Sequence, residues 1–165
     1  MSKVYLLLGS NMGDKVALLA EARERIGAMC GSVTAASPLY ESEPWGFDAD
    51  SWFVNQALEL TTAINPYLLL LMLLNIERDL GRRRNGMKKG YASRPIDIDI
   101  LYYDDLVADT ADLVLPHPRL QERRFVLLPL CDIAPELVHP VLGLTQRELL
   151  ERCQDKAKVF LLQEK

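Results

Sequence analysis

The chain has 165 residues, about half of them hydrophobic (49%), enough to close one core and short of a comfortable two-domain length, so residues 1–165 are expected to form a single domain. Its formal net charge of -4 argues against a general nucleic-acid surface, and its longest apolar run, Tyr67 to Leu74, is too short for a membrane span. The start MSKVYLLLGSN carries no signal-peptide cleavage pattern, which predicts a cytoplasmic protein, and Cys30, Cys131 and Cys153 lack metal-ligand spacing and read as reduced thiols.

Val4 to Leu8 is a short apolar run stopped by Gly9, and Lys15 to Met29 then places Leu18, Leu19, Ala22, Ile26 and Met29 at helical spacing. The GSNMGD loop between them predicts a tight turn with Asn11 or Asp14 capping the helix. Val33 to Tyr40 is rich in small and β-branched residues, Glu41 to Asp50 reads as a loop with Pro44 and Gly46, and Phe53 to Thr62 alternates as a strand. Asn65 and Pro66 open a leucine-rich helix whose body is expected to face the core and whose end is expected at Gly81. Ile96 to Tyr103 is the most strongly patterned strand, with Asp104 and Asp105 suited to the turn after it. Beyond Leu115 the pattern gives a proline-bounded loop, a helix around Arg123 to Leu130, a helix opened by the capping box Thr145 to Glu148, and a last strand near Val159. The order strand, helix, strand, strand, helix, strand through Tyr103 predicts an α+β, ferredoxin-like βαββαβ sandwich with C-terminal helices and an added strand. Helices would cover one face of the sheet, leaving the other for a ligand or for the later segments.

In RPIDIDILYY the aspartates Asp97 and Asp99 stand two positions apart on a strand, so both leave one face with Cα atoms roughly 6.6 Å apart. Magnesium favours one or two carboxylates together with phosphate oxygens and retained water, so the pair points to a nucleotide as well as to a metal. An isolated D-x-D is more often a solvated strand face. Here, aspartate is depleted in strands, and this strand follows a run in which Arg82, Arg83, Arg84, Lys88, Lys89 and Arg94 fall within thirteen residues. Arginine donates paired hydrogen bonds to phosphate, and a loop containing Gly86 and Gly90 can fold over a triphosphate; a solvated charge run is the bland alternative. Glu77, near the end of the preceding helix, could face the same site or be an ordinary surface glutamate. GSNMGDK lacks the spacing of a phosphate loop, so ATP would be held in another way. Trp45, Trp52 and Phe53 offer surfaces for a flat heterocycle, beside Asn55, whose amide both donates and accepts. His117, between two prolines and near Arg119, Arg123 and Arg124, suits a phosphate contact.

The segments LLLGSNMGD, SPLYESEPWGF, FVNQALEL, RPIDIDILYY and LPHPRLQERRFVLLPL, in this order and spacing, resemble the 6-hydroxymethyl-7,8-dihydropterin pyrophosphokinase family of folate biosynthesis over nearly the whole chain up to Pro140. The resemblance implies a ferredoxin-like fold, ATP as donor, two Mg2+ ions, and release of AMP with the pterin diphosphate. It implies that Asp97 and Asp99 bind both ions, and that Arg82 and Arg94 join them in catalysis by stabilising the transferring group. Phe53 and Phe125 would sandwich the pterin, Asn55 would bond its edge, and Ser42, Glu43, Pro44 and Trp45 would line its pocket. Glu77, Arg84, Lys88, Arg94, Ile100, His117 and Arg123 would hold ATP. Ser42 and Glu43 stand where threonine and proline are common in the family, and Tyr91 where tryptophan often is. The implied mechanism is in-line attack by the pterin hydroxyl on the β-phosphorus, with Asp97 the plausible proton acceptor. No nucleic acid or membrane partner is expected, and a monomer is expected because no long exposed apolar stripe should remain outside the core. A ferredoxin-like RNA-binding module and a metal-dependent phosphohydrolase are the competing readings; the first lacks the aromatic RNA-binding strand, and the second would need no pterin.

Overall fold

The computed structural model describes residues 1–44, 52–85 and 95–162, without the side chains of residues 82–85. The expected loop contacts of Trp45, Lys88 and Arg94, and of the Arg82 and Arg84 side chains, therefore lie outside the described residues.

Strand β1 (Ser2–Ser10) is central and pairs antiparallel with β4 (Phe53–Thr62) and with β5 (Asp97–Tyr103). The far edge of β4 is shared by two shorter strands, β2 (Ser32–Ala36) and β3 (Tyr40–Ser42). A terminal strand, β8 (Val159–Leu161), lies outside β3, giving the order β5-β1-β4-β3-β8. The mixed fold thus rests on an antiparallel sheet with β5 at one edge. The single strand expected over Val33 to Tyr40 is divided in two, and Glu41 and Ser42, expected in a loop, belong to the second piece.

Both faces of β1 are covered, which is why its sequence reads as an unbroken apolar run instead of alternating. Val4, Leu6 and Leu8 pack into a core with helices α1 (Lys15–Met29) and α2 (Pro66–Asn85), whereas Tyr5 and Leu7 join Leu127 and Leu130 of α3 (Arg124–Ile133) and Leu149 of α4 (Gln146–Arg152). Helix α1 begins where expected because Asp14 accepts the N–H of Ala17 at 3.2 Å, and α2 because Asn65 accepts that of Leu68 at 2.9 Å. The predicted capping box of α4 is complete. Gly31, between α1 and β2, has φ 155°, and a Cβ there would come within 2.2 Å of the Thr61 carbonyl oxygen, so the close crossing requires glycine.

Helix α2 departs from expectation twice. It continues through Gly81 to Asn85; glycine weakens a helix by about 1 kcal/mol without ending it, and Pro95 packs at van der Waals distance from where a Cβ would stand. Its apolar run also exceeds what one face can bury. Leu69, Leu73, Ile76 and Leu80 face the core, while Tyr67, Leu68, Leu71 and Leu74 are exposed, correcting the expectation that no apolar stripe remains outside. The sequence pattern missed a small hairpin, β6 (Ala108–Asp109) and β7 (Val114–Leu115), against which the Tyr67 hydroxyl rests by donating to Thr110. Among the described residues no helix is long and apolar enough to cross a membrane.

Candidate active site

The site lies on the sheet face that carries α3. Along β5, Ile98 and Ile100 are buried, and Asp97 and Asp99 alternate with them, half-buried on the opposite face. Register places Asp97 opposite Gly9 of β1, and Gly9 in turn opposite Asn55 of β4. Asp97, Gly9 and Asn55 therefore form one cross-strand row, with the outer two about 9 to 10 Å apart. The middle member has no side chain: a Cβ on Gly9 would stand 3.0 Å from Asn55 Oδ1 and 3.9 Å from Phe53 Cδ1. The glycine thus lets the Asn55 amide lie close against the backbone of β1, between the acidic pair and Phe53.

The acidic side of this row is supported from beneath. β5 is an edge strand, and the N–H of Ile98 donates to Glu77 Oε2 of α2 at 2.6 Å. Burial is the main reason the Glu77 carboxyl is pushed up to about 8, against the lowering effect of the Ile98 N–H, and Asp97 and Asp99 raise it further. Burial and the neighbouring acids thus favour the neutral form of Glu77. Its placement joins it to the predicted site and sets aside the surface reading.

Cationic and neutral donors come from the segment before α3. His117 is tied to the sheet by its N–H, which donates to the Leu101 carbonyl oxygen at 2.9 Å. Its Nδ1 accepts the N–H of Arg119 at 3.3 Å, so a neutral imidazole carries its proton on Nε2. Burial lowers the His117 pKa, with the Arg123 charge second and Asp97 opposing, so the ring is neutral at pH 7. Arg123 carries the electrostatic influence of both Asp99 and Asp97, which offset part of the lowering caused by burial and by Arg119. Its guanidinium carbon lies 5.7 Å from the centre of the Phe125 ring.

The amide side is equally constrained. Asn55 is buried, and its Nδ2 donates to Ser42 Oγ at 2.8 Å, leaving Oδ1 on the Gly9 side of the amide. Phe53 pairs in register with Ser42, and Phe125 packs at the rim of the core beneath α3. Glu43 bonds Lys158 twice, its N–H donating to the carbonyl oxygen at 3.1 Å and its carboxylate accepting the N–H at 2.7 Å. Trp52 is fixed through its carbonyl oxygen by Lys15 Nζ at 2.7 Å.

The structure brings Asp97, Asp99, Glu77, His117 and Arg123 to one end of the row and Ser42, Phe53 and Asn55 to the other. The Ile100 side chain points into the α1/α2 core opposite Leu6, which leaves only its backbone, on the edge strand, for a ligand contact. Gly9 was missed as a functional residue; a glycine closing an apolar strand is the one available signal of close approach to the backbone. Among the described residues no group of three or more His, Cys, Asp or Glu side chains is arranged to hold a metal.

Comparison with known proteins bears on the family and the fold. The family model for 7,8-dihydro-6-hydroxymethylpterin-pyrophosphokinase (HPPK) matches residues 5–135. A 2-amino-4-hydroxy-6-hydroxymethyldihydropteridine pyrophosphokinase of Methylorubrum extorquens is 44% identical over 153 residues, covering 92% of this chain and 94% of that protein. One from Porphyromonas gingivalis is 42% identical over 141 residues, with 85% and 95% covered. The Dictyostelium discoideum folic acid synthesis protein FOL1 is 42% identical over 149 residues, but these make up 22% of that longer protein. Among solved structures, Plasmodium falciparum HPPK-DHPS superposes with a TM-score of 0.71 at 18% identity, covering 92% of this chain and 44% of that one, a likeness that bears on the fold.

Proposed function

The chain belongs to the 7,8-dihydro-6-hydroxymethylpterin-pyrophosphokinase family, and on that premise we propose that it transfers the pyrophosphoryl group of ATP to the hydroxyl of 6-hydroxymethyl-7,8-dihydropterin, releasing AMP, in folate biosynthesis. The observation that carries this reading is the row Asp97, Gly9, Asn55: an acidic pair at one end, an amide suited to a heterocycle edge at the other, and a side-chain-free residue between them that lets the amide approach the backbone. In the same reading the sheet order β5-β1-β4-β2 is that of a ferredoxin-like sandwich extended by β3 and β8, residues 1–165 are one domain, and the compartment is the cytoplasm.

Asp97 and Asp99 fit magnesium, because two half-buried carboxylates on one face, short of a full cage, suit an ion that arrives with phosphate oxygens. Bound there, Mg2+ would neutralise the triphosphate. The protein's own groups supply the rest. Neutral His117 donates from Nε2 and Arg123 from its guanidinium to phosphate oxygens, while Phe53 and Phe125 stack on the pterin and Asn55 orients its edge. The hydroxyl oxygen bonds to the β-phosphorus, the bond to the α-phosphate's bridging oxygen breaks, AMP departs, and the hydroxyl proton passes to Asp97. Arg82 and Arg94 stabilise the transferring group, and Arg84, Lys88 and the backbone of Ile100 complete the ATP contacts. Glu77 holds the acidic strand from below.

Nucleotide analysis after incubation with ATP, Mg2+ and 6-hydroxymethyl-7,8-dihydropterin tests the reading. AMP forms only when the pterin is present. ADP, or AMP without pterin, would show ordinary kinase or hydrolase chemistry instead.

A further inference from the structure

The C-terminal segment after α4 lies beyond the residues the family model matches, yet it touches both sides of the site. At its start, Asp155 Oδ2 accepts the N–H of Arg124 at 3.0 Å. Arg124 opens α3, the helix that carries Phe125, and the residue at its N-cap, Arg123, makes no side-chain capping bond. Asp155 therefore supplies the missing cap from 31 residues downstream. Its other oxygen accepts the N–H of Ala157 at 3.0 Å and turns the chain toward the sheet.

The segment then becomes β8 and pairs with β3, Val159 facing Ser42, Phe160 facing Glu41 and Leu161 facing Tyr40. The Phe160 ring stacks on Trp52, with planes 10° apart and centroids 6.0 Å apart. Glu43 closes the two hydrogen bonds to Lys158, and the Leu162 N–H donates to the Leu39 carbonyl oxygen at 2.9 Å, with both leucines at the rim of the α1/α2 core. β3 has three residues and would otherwise be a short edge strand held on one side only. Ser42 sits in that strand and holds the Asn55 amide, while Trp52 adjoins Phe53.

We propose that Asp155–Leu162 is a brace that fixes the two walls of the pterin site relative to each other, with Asp155 and Phe160 as its positioning residues. One end secures the start of α3 under Phe125; the other secures Ser42, and through Trp52 the approach to Phe53. Its Phe160 end meets the pterin side of the row through Trp52 and Ser42, whereas its Asp155 end holds Arg124, between Arg123 of the nucleotide side and Phe125 of the pterin side. This inference rests on the proposed function for its choice of ligand.

The test is steady-state AMP formation with each substrate varied, in Phe160→Ala, Phe160→Tyr and Asp155→Ala, alongside calorimetric binding of 6-hydroxymethylpterin. Loss of the aromatic stack raises the pterin KM and weakens pterin binding about three- to tenfold while ATP KM and kcat stay within about twofold, and loss of the cap raises the pterin KM by a similar factor with a smaller rise in ATP KM. Phe160→Tyr restores the stack and with it the wild-type pterin KM. The proposal is overturned if neither alanine variant raises the pterin KM, or if both substrate KM values rise together in Phe160→Ala, as general destabilisation would cause. Wild-type protein that makes no AMP from ATP and pterin would sink the proposed function, whereas wild-type turnover with unaltered variants would sink only the brace.

Discussion

Replacing Gly9 with alanine isolates the close approach of the Asn55 amide to β1, because the new methyl group touches the pterin end and nothing else of consequence. Its Cβ would lie 3.0 Å from Asn55 Oδ1, so the amide must retreat by a few tenths of an ångström. Asn55 is buried and held at 2.8 Å by Ser42, and that bond must stretch or break for the amide to move. A compromised buried hydrogen bond costs about 1 to 2 kcal/mol, which corresponds to about a five- to thirtyfold rise in pterin KM. Stability feels both effects: the strained Asn55–Ser42 bond costs the folded protein about 1 to 2 kcal/mol, and alanine inside a strand returns about 0.5–1 kcal/mol over glycine. Steady-state kinetics with each substrate varied, beside thermal unfolding, separates the two effects. Weaker pterin use, an unchanged ATP KM and an unfolding free energy lower than wild type by no more than about 1.5 kcal/mol are the expected results. An unchanged pterin KM, or a parallel rise in both KM values, refutes the reasoning.

Asp97→Ala and Asp99→Ala should each abolish AMP formation while leaving the unfolding transition cooperative; near-normal turnover in both would remove the metal assignment. Glu77 carries a pH signature with a definite sign. Its folded pKa of about 8 lies above the ordinary 4.5, so the unfolded chain gives up this proton first, and stability is lost as pH rises through that interval. In metal-free buffer Glu77→Gln should flatten that slope, measured by denaturant midpoints from pH 5 to 8, and an identical slope in both proteins would contradict the burial argument. Leu73→Ala removes a fully buried side chain of α2 and should cost about 2–5 kcal/mol in denaturant unfolding, whereas Leu71→Ala, on the exposed stripe, should stay within about 0.5 kcal/mol. Equal losses at the two positions would mean that the helix is rotated from its described setting.

Much of this architecture was legible because local chemistry and tertiary packing agree along most of the chain. Asp14, Asn65 and Thr145 begin helices by bonding free amides, a rule that operates within one turn of the chain. The alternation of Asp97 and Asp99 with buried isoleucines placed both acids on one face, since a strand's period is two whatever it packs against. What could not be read depends on contacts far apart in sequence. The run Tyr67–Leu74 gives no hint of which leucines the sheet will cover, because every position satisfies a hydrophobic pattern. Glu77 was ambiguous until β5 was known to be an edge strand with an N–H to offer. Gly9 became a site residue only through its register with Asp97 and Asn55, and Asp155 only because the tail returns across the start of α3. Hydrogen bonds spanning dozens of residues leave no periodicity to detect.

The central claim is spatial: the acidic pair and the Asn55 pocket are two ends of a single reaction site. A crystal structure of the protein with Mg2+, a non-hydrolysable ATP analogue and 6-hydroxymethylpterin tests it most directly. Metal at about 2.0–2.1 Å from carboxylate oxygens of both Asp97 and Asp99, with the pterin edge on Asn55 and its hydroxymethyl oxygen directed at the β-phosphorus, is the predicted result. Metal bound elsewhere, or a pterin seated away from Gly9, would contradict it.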